Sequence, residues 1–379
     1  MKNALLNYVA AFPGKYIQGE QALTGLPELS SRLAERALLL ASPTIVGKVL
    51  PQHLSTEDLS RFHVETFRGE CCQQEIERLL AVVRQKKIGL LVGMGGGKTL
   101  DTAKIVADKA DIPVIIVPTI ASTDAPCSGC AVIYTAEGAF KSIYYQKSNP
   151  QVVLVDTGII ASAPVRFLVA GMGDALATRF EAESCERTFS VNECGGHSTL
   201  AGMRLARLCF ETIMRYGRTA KLANENKIIT PALERVIEAN ILLSGIGFES
   251  SGLATAHSVH NGLTALEETH ALYHGEKVAF GVLAGLHLND ACPEEMEVIY
   301  NFCEELGLPT TFDDLGISDP SRERLMVAAQ KACAPQEGIH HEAICITPEK
   351  VLAAMLAADA LGRARKQGGL RIMEPNIYI

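Results

Sequence analysis

The sequence predicts an α/β domain with a parallel sheet, followed by an all-helical domain. Over about the first 165 residues, short apolar and β-branched runs alternate with helical patterns, which is typical of βαβ units. From about Pro164 onward the strand-like runs disappear and amphipathic helical patterns dominate. A glycine-rich stretch also lies between a strand-like run and a helical pattern in the first half. We therefore expect an α/β domain at residues 1–163, a helical domain at residues 164–379, and a ligand-binding cleft between them.

Each expected element corresponds to one stretch of this pattern. Residues 12–17 contain Pro13 and Gly14 and are expected to form a turn and then a strand. Further strands are expected at residues 37–41, 64–67, 89–92, 114–118 and 152–156. Helices are expected in the first half at residues such as 72–85 and 99–108, and in the second half at 173–185, 198–216, 230–244, 257–266, 277–289, 293–306 and 348–364.

Composition excludes several classes of protein. The net charge of −8 and the lack of a dense Lys/Arg block argue against nucleic-acid binding. No run approaches the ~18 consecutive apolar residues of a membrane span, and the short apolar run at residues 4–11 is broken by Asn7, which favours a structured N-terminus over a signal peptide. Eleven cysteines without a regular framework fit the reducing cytoplasm better than a disulfide scaffold. The C-x-x-C pair Cys127 and Cys130 and the adjacent Cys71 and Cys72 are expected to be small buried thiols.

The glycine-rich stretch follows the apolar run at residues 88–92 and reads GMGGGKTLDTAK from Gly93 to Lys104. A strand that turns through glycines into a helix exposes backbone N–H groups at the positive end of the helix dipole, where an anion is stabilised. The spacing matches neither G-x-x-x-x-G-K-[ST] nor G-x-G-x-x-G. By itself the stretch predicts phosphate binding, with a nucleotide as the expected ligand.

The histidines and one aspartate predict a metal site. Five of the ten histidines lie between residues 257 and 287, and His257 and His260 have the i, i+3 spacing of one helix face. Asp174 stands among small residues at an expected helix start, where helix capping is its simplest role. Spacing alone leaves metal binding and ordinary structural roles equally open.

Seven motifs occur together and in a fixed order. They are PGKYIQG from Pro13, the glycine-rich stretch, PTIASTDAPCS from Pro118, GMGDALAT from Gly171, GFES from Gly247, AHSVHNGLTAL from Ala256 and HGEKVAFG from His274. Together they resemble the glycerol dehydrogenases of the iron-containing (group III) alcohol dehydrogenase superfamily, over nearly the whole chain. The resemblance implies a Rossmann-like α/β domain that binds NAD and an all-α domain that binds the metal, as in dehydroquinate synthase-like folds.

The resemblance also implies an activity and its site residues. The enzyme would oxidise glycerol and related vicinal diols, glycerol to dihydroxyacetone, by hydride transfer to NAD with zinc as the metal. The implied metal ligands are Asp174, His257 and His274, and the implied catalytic residues are Asp124, His257 and His260. Substrate would contact Asp124, Phe248 and His257. The cofactor would contact Ser42, Gly95, Gly96, Gly97, Lys98, Asp101, Thr119, Ser122, Ser128, Cys130 and Tyr134.

At two positions this chain has a residue that differs from one found in members of the superfamily it resembles, and each difference bears on the metal or the cofactor. Iron-binding members have a histidine four residues after the metal-binding aspartate, and this chain has Thr178 there, which favours zinc held by three protein ligands. The relatives also end an early strand with an aspartate on the adenosine ribose, and this chain has Ser42. Because serine does not repel a 2′-phosphate, we expect weakened discrimination against NADP.

The alternatives are a related polyol, polyol-phosphate or 2-hydroxycarboxylate dehydrogenase, a cyclase, or a non-catalytic nucleotide-binding scaffold. Phosphorylated substrates need convergent cations, and only Arg179 and Lys277 lie near the motifs. Water, His260 or the cofactor ribose could each relay the proton. The resemblance implies a homo-oligomer, from a dimer to an octamer, in which the tail from Arg363 to Ile379 is a candidate for a subunit contact.

Overall fold

A computed structural model describes residues 7–368 of the chain. Within this range the chain forms two compact units. The sheet unit comprises Ala11–Leu168 and Leu222–Ile246. The helical unit comprises residues 7–10, Val169–Lys221 and residues 247–368. The predicted fold class, a parallel-sheet α/β part and a helical part, is confirmed.

All the strands belong to the sheet unit. In chain order they are β1 (Tyr16–Gly19), β2 (Ala37–Ala41), β3 (Phe62–Thr66), β4 (Leu90–Gly95), β5 (Val114–Pro118), β6 (Cys130–Tyr134), β7 (Phe140–Tyr145) and β8 (Val152–Asp156). Six of them form a parallel sheet in the order β1-β8-β5-β4-β2-β3. Strands β2, β4, β5 and β8 are buried at every residue, as expected where helices cover both faces of a parallel sheet.

The strand order changes direction at β2 and β4. β3 lies on one side of β2, whereas β4, the next strand in the chain, lies on the other side, and β5 and β8 continue away from it. In register, Ala41 faces Met94 and Gly95 faces Pro118, so the carboxyl ends of β2, β4 and β5 meet at one edge. Ligands of open parallel sheets bind at such an edge, where the strand order reverses.

The helices follow the expected division of the chain. They are α1 (Leu26–Leu33), α2 (Leu50–His53), α3 (Thr56–Ser60), α4 (Gln73–Lys86), α5 (Gly97–Ala110), α6 (Thr157–Ser162), α7 (Val165–Thr188), α8 (Leu200–Glu225), α9 (Pro231–Glu238), α10 (Ser244–Ser251), α11 (Thr255–Leu263), α12 (His274–Leu288), α13 (Pro293–Leu306), α14 (Arg322–Ala332) and α15 (Pro348–Lys366). Short 3₁₀ segments occupy Ala22–Gly25, Ala125–Cys127, Glu267–Ala271 and Gly338–His341, and π turns occupy Ile45–Val49 and Ala239–Leu243.

Most individual elements lie where the sequence predicts them, with four differences. The antiparallel hairpin β6–β7 and helix α14 were not expected. The helix expected at residues 230–244 is α9, which continues through a π turn into α10. Helix α7 begins at Val165 rather than near residue 173, so Asp174 lies inside the helix and is not its N-cap.

The segment Leu222–Ile246 packs with the sheet unit although it is helical. Asn240 donates hydrogen bonds to the Ala121 carbonyl at 3.0 Å and the Leu168 carbonyl at 3.1 Å. Gln18 donates to the Glu234 carbonyl at 3.0 Å. The observed units therefore do not correspond to a single division of the chain between residues 163 and 164. An amphipathic pattern shows that a helix buries one face, but it does not show which element that face packs against. Division into two domains at that boundary stays a prediction.

Several expectations concern the chain ends and membrane insertion. Residues 1–6 of the N-terminal run and residues 369–379 of the C-terminal tail lie outside the described residues. Between residues 7 and 368, no helix combines the length and apolar character needed to cross a bilayer. The cysteines, all of which lie in this range, are free thiols.

Candidate active site

Three side chains of the helical unit converge on one point. Asp174 comes from the middle of α7, His257 from the first turn of α11, and His274 from the start of α12. Within residues 7–368 they form the one group of three His, Cys, Asp or Glu residues whose ligand atoms all lie within 4.8 Å of one another. The structure therefore brings together the three residues that the resemblance implies as metal ligands.

The distances fit a tetrahedral metal ion. Asp174 Oδ1 lies 3.4 Å from His257 Nε2 and 3.1 Å from His274 Nε2. Two ligands at ordinary zinc–nitrogen and zinc–oxygen distances in a tetrahedron are separated by roughly 3.3 Å. The Asp174 side chain is 1% exposed and that of His274 is 34% exposed, so the cluster opens toward the His274 side. One carboxylate and two imidazoles are also a usual catalytic zinc donor set with a position left open.

Glu181 orients the most deeply placed histidine. It lies on α7 two helical turns after Asp174, and its Oε2 is 2.6 Å from His257 Nδ1. Its Oε1 accepts hydrogen bonds from the backbone amides of Ala254 at 3.0 Å and His257 at 2.9 Å. A carboxylate on Nδ1 keeps the proton there and leaves Nε2 free to bind a metal. Sequence reasoning missed Glu181, although its i, i+7 spacing from Asp174 was a usable signal.

The charges of the cluster shift the pKa values of its members. Burial opposes ionisation of Asp174, but His274 and His257 outweigh it and hold the pKa of this carboxyl well below its usual value. Burial would lower the pKa of His257, yet Glu181 and Asp174 raise it well above the ordinary value. Two carboxylates around one imidazole therefore make this point attractive to a cation.

His260 contacts a metal-ligand candidate but is not part of the cluster of three. Its Nε2 lies 3.1 Å from His274 Nδ1, on the side of that ring opposite Asp174. Burial, followed by the neighbouring His274 and Lys277, holds the pKa of His260 well below its usual value. A neutral imidazole can donate or accept at this nitrogen, so the direction of the hydrogen bond to His274 depends on the tautomer of His260.

Two glycines let the backbones of α7 and α12 approach each other at the cluster. A Cβ added to Gly275 would lie 1.8 Å from the Ala170 carbonyl oxygen, and one added to Gly173 would lie 2.4 Å from the Gly275 oxygen. Each glycine is adjacent in sequence to a member of the cluster, Gly173 to Asp174 and Gly275 to His274. The close approach therefore places Asp174 and His274 within ligand distance of each other.

The glycine-rich stretch lies at the carboxyl edge of the parallel sheet. Gly95 ends β4, and α5 begins at Gly97, with Gly96 in extended conformation between them. A Cβ on Gly93 would lie 2.4 Å from the Ala103 Cβ, so this glycine permits close packing of strand and helix. A Cβ on Gly97 would meet no atom of the described residues within 4 Å. The start of α5 therefore faces open space, as a phosphate site requires.

Other predicted cofactor residues lie along the same edge. Ser42 follows β2, and its Oγ accepts a hydrogen bond from the Ile45 amide at 3.4 Å. Thr119 follows β5, and its amide donates to the Gly95 carbonyl at 3.1 Å. Lys98 pairs with Glu70 at 2.5 Å and lies over the Tyr134 ring.

Asp101 and Lys104 support the loop that carries the remaining cofactor residues. Lys104 is buried and donates to the carbonyls of Ala125, Ser128 and Cys130 at 2.8, 3.3 and 2.5 Å. Asp101 lies 3.3 Å from Lys104 and accepts from the Val132 amide at 3.0 Å. Burial raises the pKa of Asp101. Its carboxylate is thus engaged within the sheet unit, and direct contact with a cofactor stays a prediction.

The remaining predicted residues have differing surroundings. Ser128 is buried, Cys130 donates to its hydroxyl at 3.4 Å, and Ser122 is half-buried. Asp124 is buried, and its Oδ2 accepts a hydrogen bond from Ser244 at 2.8 Å. Ser244 was not predicted, because a serine 120 residues away carries no local signal. Phe248 is buried in α10 of the helical unit.

Comparisons with known proteins agree with this fold and site. Residues 13–157 match the iron-containing alcohol dehydrogenase family. The chain is 53% identical over 356 residues to a glycerol dehydrogenase of Thermotoga maritima, covering 94% of this chain and 98% of that protein. It is 48% identical over 354 residues to a glycerol dehydrogenase of Citrobacter freundii, covering 93% and 97%.

A solved structure gives the same result. The crystal structure of glycerol dehydrogenase from Schizosaccharomyces pombe superimposes with a TM-score of 0.91 at 35% identity, covering 97% of this chain and 96% of that one. The chain therefore belongs to the glycerol dehydrogenases of the iron-containing alcohol dehydrogenase family. It is an oxidoreductase of the alcohol dehydrogenase type.

Proposed function

We propose that this chain oxidises glycerol to dihydroxyacetone with NAD as hydride acceptor and zinc as the bound metal. The observation that carries the proposal is the convergence of Asp174, His257 and His274 at separations suited to a tetrahedral ion. The proposed substrate, glycerol, is inferred from the glycerol dehydrogenases to which the chain is 53% and 48% identical.

The three proposed ligands would hold the zinc, and Glu181 would keep His257 in the binding tautomer. When bound, zinc supplies a Lewis acid that lowers the pKa of an alcohol, and the nicotinamide accepts the hydride. Asp124 is proposed to accept a hydrogen bond from a substrate hydroxyl, with its other interactions including the Ser244 hydroxyl. The open N-terminus of α5 is proposed to bind the cofactor pyrophosphate.

The two cations near the motifs are engaged with protein groups, which argues against a phosphorylated substrate. Arg179 pairs with Glu183 at 3.2 Å and Glu295 at 3.0 Å. Lys277 is 6% exposed and donates to the Thr269 carbonyl at 3.3 Å. Burial also lowers the pKa of Lys277.

Metal analysis combined with a substrate panel tests the proposal. Purified protein should contain about one zinc per chain and reduce NAD with glycerol faster than with 2-hydroxy acids. His274→Ala should remove both the metal and the activity. Full turnover by metal-free protein would refute the metal assignment, and preference for a 2-hydroxy acid would favour the related hydroxycarboxylate dehydrogenases.

Assembly of the chain stays a separate prediction. We propose a homo-oligomer between a dimer and an octamer, as the resemblance implies. Sedimentation of the full chain tests this directly, and a monomer at micromolar concentration would contradict it.

A further inference from the structure

We propose that Glu337 and Asn261 are positioning residues that set the tautomer of His274, so that its Nε2 can bind the metal. The inference rests on the proposed metal site and adds two residues to which the resemblance gives no role. It depends on a line of three hydrogen bonds within the helical unit.

The line begins at His274 and ends at a carboxylate. His274 Nδ1 lies 3.1 Å from His260 Nε2. His260 Nδ1 lies 3.0 Å from Asn261 Oδ1. Asn261 Nδ2 donates to Glu337 Oε2 at 2.8 Å. Each contact has the length of an ordinary hydrogen bond.

His274, the second proposed histidine ligand, needs these further hydrogen bonds because the group at its Nδ1 can either donate or accept. Nδ1 of His257 meets the Glu181 carboxylate, which can only accept a hydrogen bond. Nδ1 of His274 instead meets another imidazole, and a neutral imidazole can donate or accept at either nitrogen. The contact between His260 and His274 therefore does not by itself determine which nitrogen of His274 carries the proton.

Glu337 removes the ambiguity through Asn261. An ionised carboxylate only accepts, so the NH₂ group of Asn261 faces Glu337 and its Oδ1 faces His260. His260 must then donate from Nδ1, which makes its Nε2 an acceptor. His274 must in turn donate from Nδ1, which leaves a lone pair on Nε2, 3.1 Å from Asp174.

The opposite amide orientation would have the opposite effect. If the Asn261 NH₂ group faced His260, the His260 Nδ1 would accept and its Nε2 would carry the proton. His274 Nδ1 would then accept, and its proton would lie on Nε2. Protonated nitrogen has no lone pair for a metal ion, so His274 would be unable to bind.

Glu337 is held in place by the segment that follows it. Gly338 packs so closely that a Cβ there would lie 2.6 Å from the Leu253 carbonyl oxygen. The buried Ile339 donates its amide to the Ser258 hydroxyl at 2.9 Å. Glu342 accepts from Thr255 at 2.6 Å, which fixes the segment against the start of α11. The acceptor for Asn261 therefore has a defined position relative to α11.

Zinc affinity, measured by chelator competition at about pH 8, tests the inference without using activity. Glu337→Ala and Asn261→Leu should each weaken zinc binding by about 10-fold, the lower end of the effect of removing groups that orient metal ligands. The Co²⁺-substituted protein should show a changed visible spectrum in the same variants. Asn261→Leu keeps the test decisive if Glu337→Ala folds poorly.

A rescue variant separates tautomer control from charge and packing. Asn261→Asp combined with Glu337→Gln keeps the net charge and shape, reverses the hydrogen bond between the two positions, and still presents only acceptors to His260. Its zinc affinity should lie within about threefold of the wild type, given the ~10-fold loss expected of the single variants. Glu211→Ala, which removes an exposed glutamate from α8, controls for net charge and should leave the affinity unchanged.

The outcomes distinguish this inference from the proposed metal site. Wild-type affinity in Glu337→Ala and Asn261→Leu would overturn the inference, as would a double variant that binds as weakly as Glu337→Ala. Wild-type affinity in His274→Ala would instead overturn the metal site itself.

Discussion

Gly275→Ala should damage the proposed metal site and the fold together. The added methyl group would lie 1.8 Å from the Ala170 carbonyl oxygen, whereas ordinary contacts of a Cβ begin at 3.4 Å. The difference, 3.4 minus 1.8, is 1.6 Å, and α12 must move by about this distance because a backbone oxygen cannot rotate away. His274 is the neighbouring residue and would move with it. Metal–ligand distances tolerate only about 0.2 Å.

The stability change has two parts of opposite sign. Overpacking a close contact costs about 1–3 kcal/mol, and contact with backbone favours the upper end. Alanine in place of glycine inside a helix recovers about 1 kcal/mol. The net loss of about 2 kcal/mol corresponds to a fall in Tm of about 4–8 °C for a unit of this size.

Zinc affinity and thermal unfolding measure both effects. Gly285→Ala is the matched control on the same helix, because its Cβ would lie 3.5 Å from Thr255, an ordinary contact. We expect that control to keep its zinc and to unfold at or slightly above the wild-type Tm, because the helix-propensity gain of about 1 kcal/mol is not opposed by a clash. Tight zinc binding and unchanged Tm in Gly275→Ala would refute the argument that backbone contact sets the position of His274.

Four further predictions follow from single residues. Glu181→Gln should weaken zinc binding by about 10–100-fold, because an amide can impose the wrong tautomer on His257; unchanged affinity would contradict this. The wild type should prefer NAD over NADP by less than about 10⁴ in kcat/KM, and Ser42→Asp should increase the preference. Asp124→Asn should raise KM for glycerol, and an unchanged KM would remove Asp124 from the substrate site. Burial raises the pKa of Glu337 in the folded protein above its pKa in the unfolded chain. At pH values between these two pKa values the native state binds more protons than the unfolded state, so the free energy of unfolding falls as pH rises through this range. Glu337→Gln should lack that fall in denaturant unfolding at pH 4 and pH 8.

The strands that were predicted best are those buried on both faces of the sheet. Strands β2, β5 and β8 are buried on both faces, so their sequences are continuous apolar runs with clear ends. In the hairpin, β6 is an apolar run (CAVIY), but its partner β7 (FKSIYY) is largely exposed and is interrupted by Lys141 and Ser142, so no pair of strands was evident. The start of α7 was misplaced because residues 168–178 are buried all round, which removes the amphipathic pattern of a surface helix.

The proposed metal ligands of the candidate site were predictable from the sequence, but the residues that orient those ligands were not. Asp174, His257 and His274 stand in distinctive motifs, and the structure brings them together. Glu337 lies 76 residues from Asn261, and no local pattern in one sequence links two such positions. The groups that orient ligands are ordinary acids and amides, so only the folded chain reveals them.

The two oxygens of Glu181 link the packing of the helical unit to the chemistry of the candidate site. One of its oxygens accepts from the amides of Ala254 and His257, where α11 begins, and the other holds the His257 ring. A single carboxylate therefore aligns a helix against α7 and selects the reactive nitrogen of a side chain on that helix. Removal of both carboxylate oxygens would therefore disturb the start of α11 and the binding nitrogen of His257 at once. Glu181→Gln, in contrast, keeps an oxygen for the two amides and changes only the group that faces His257 Nδ1.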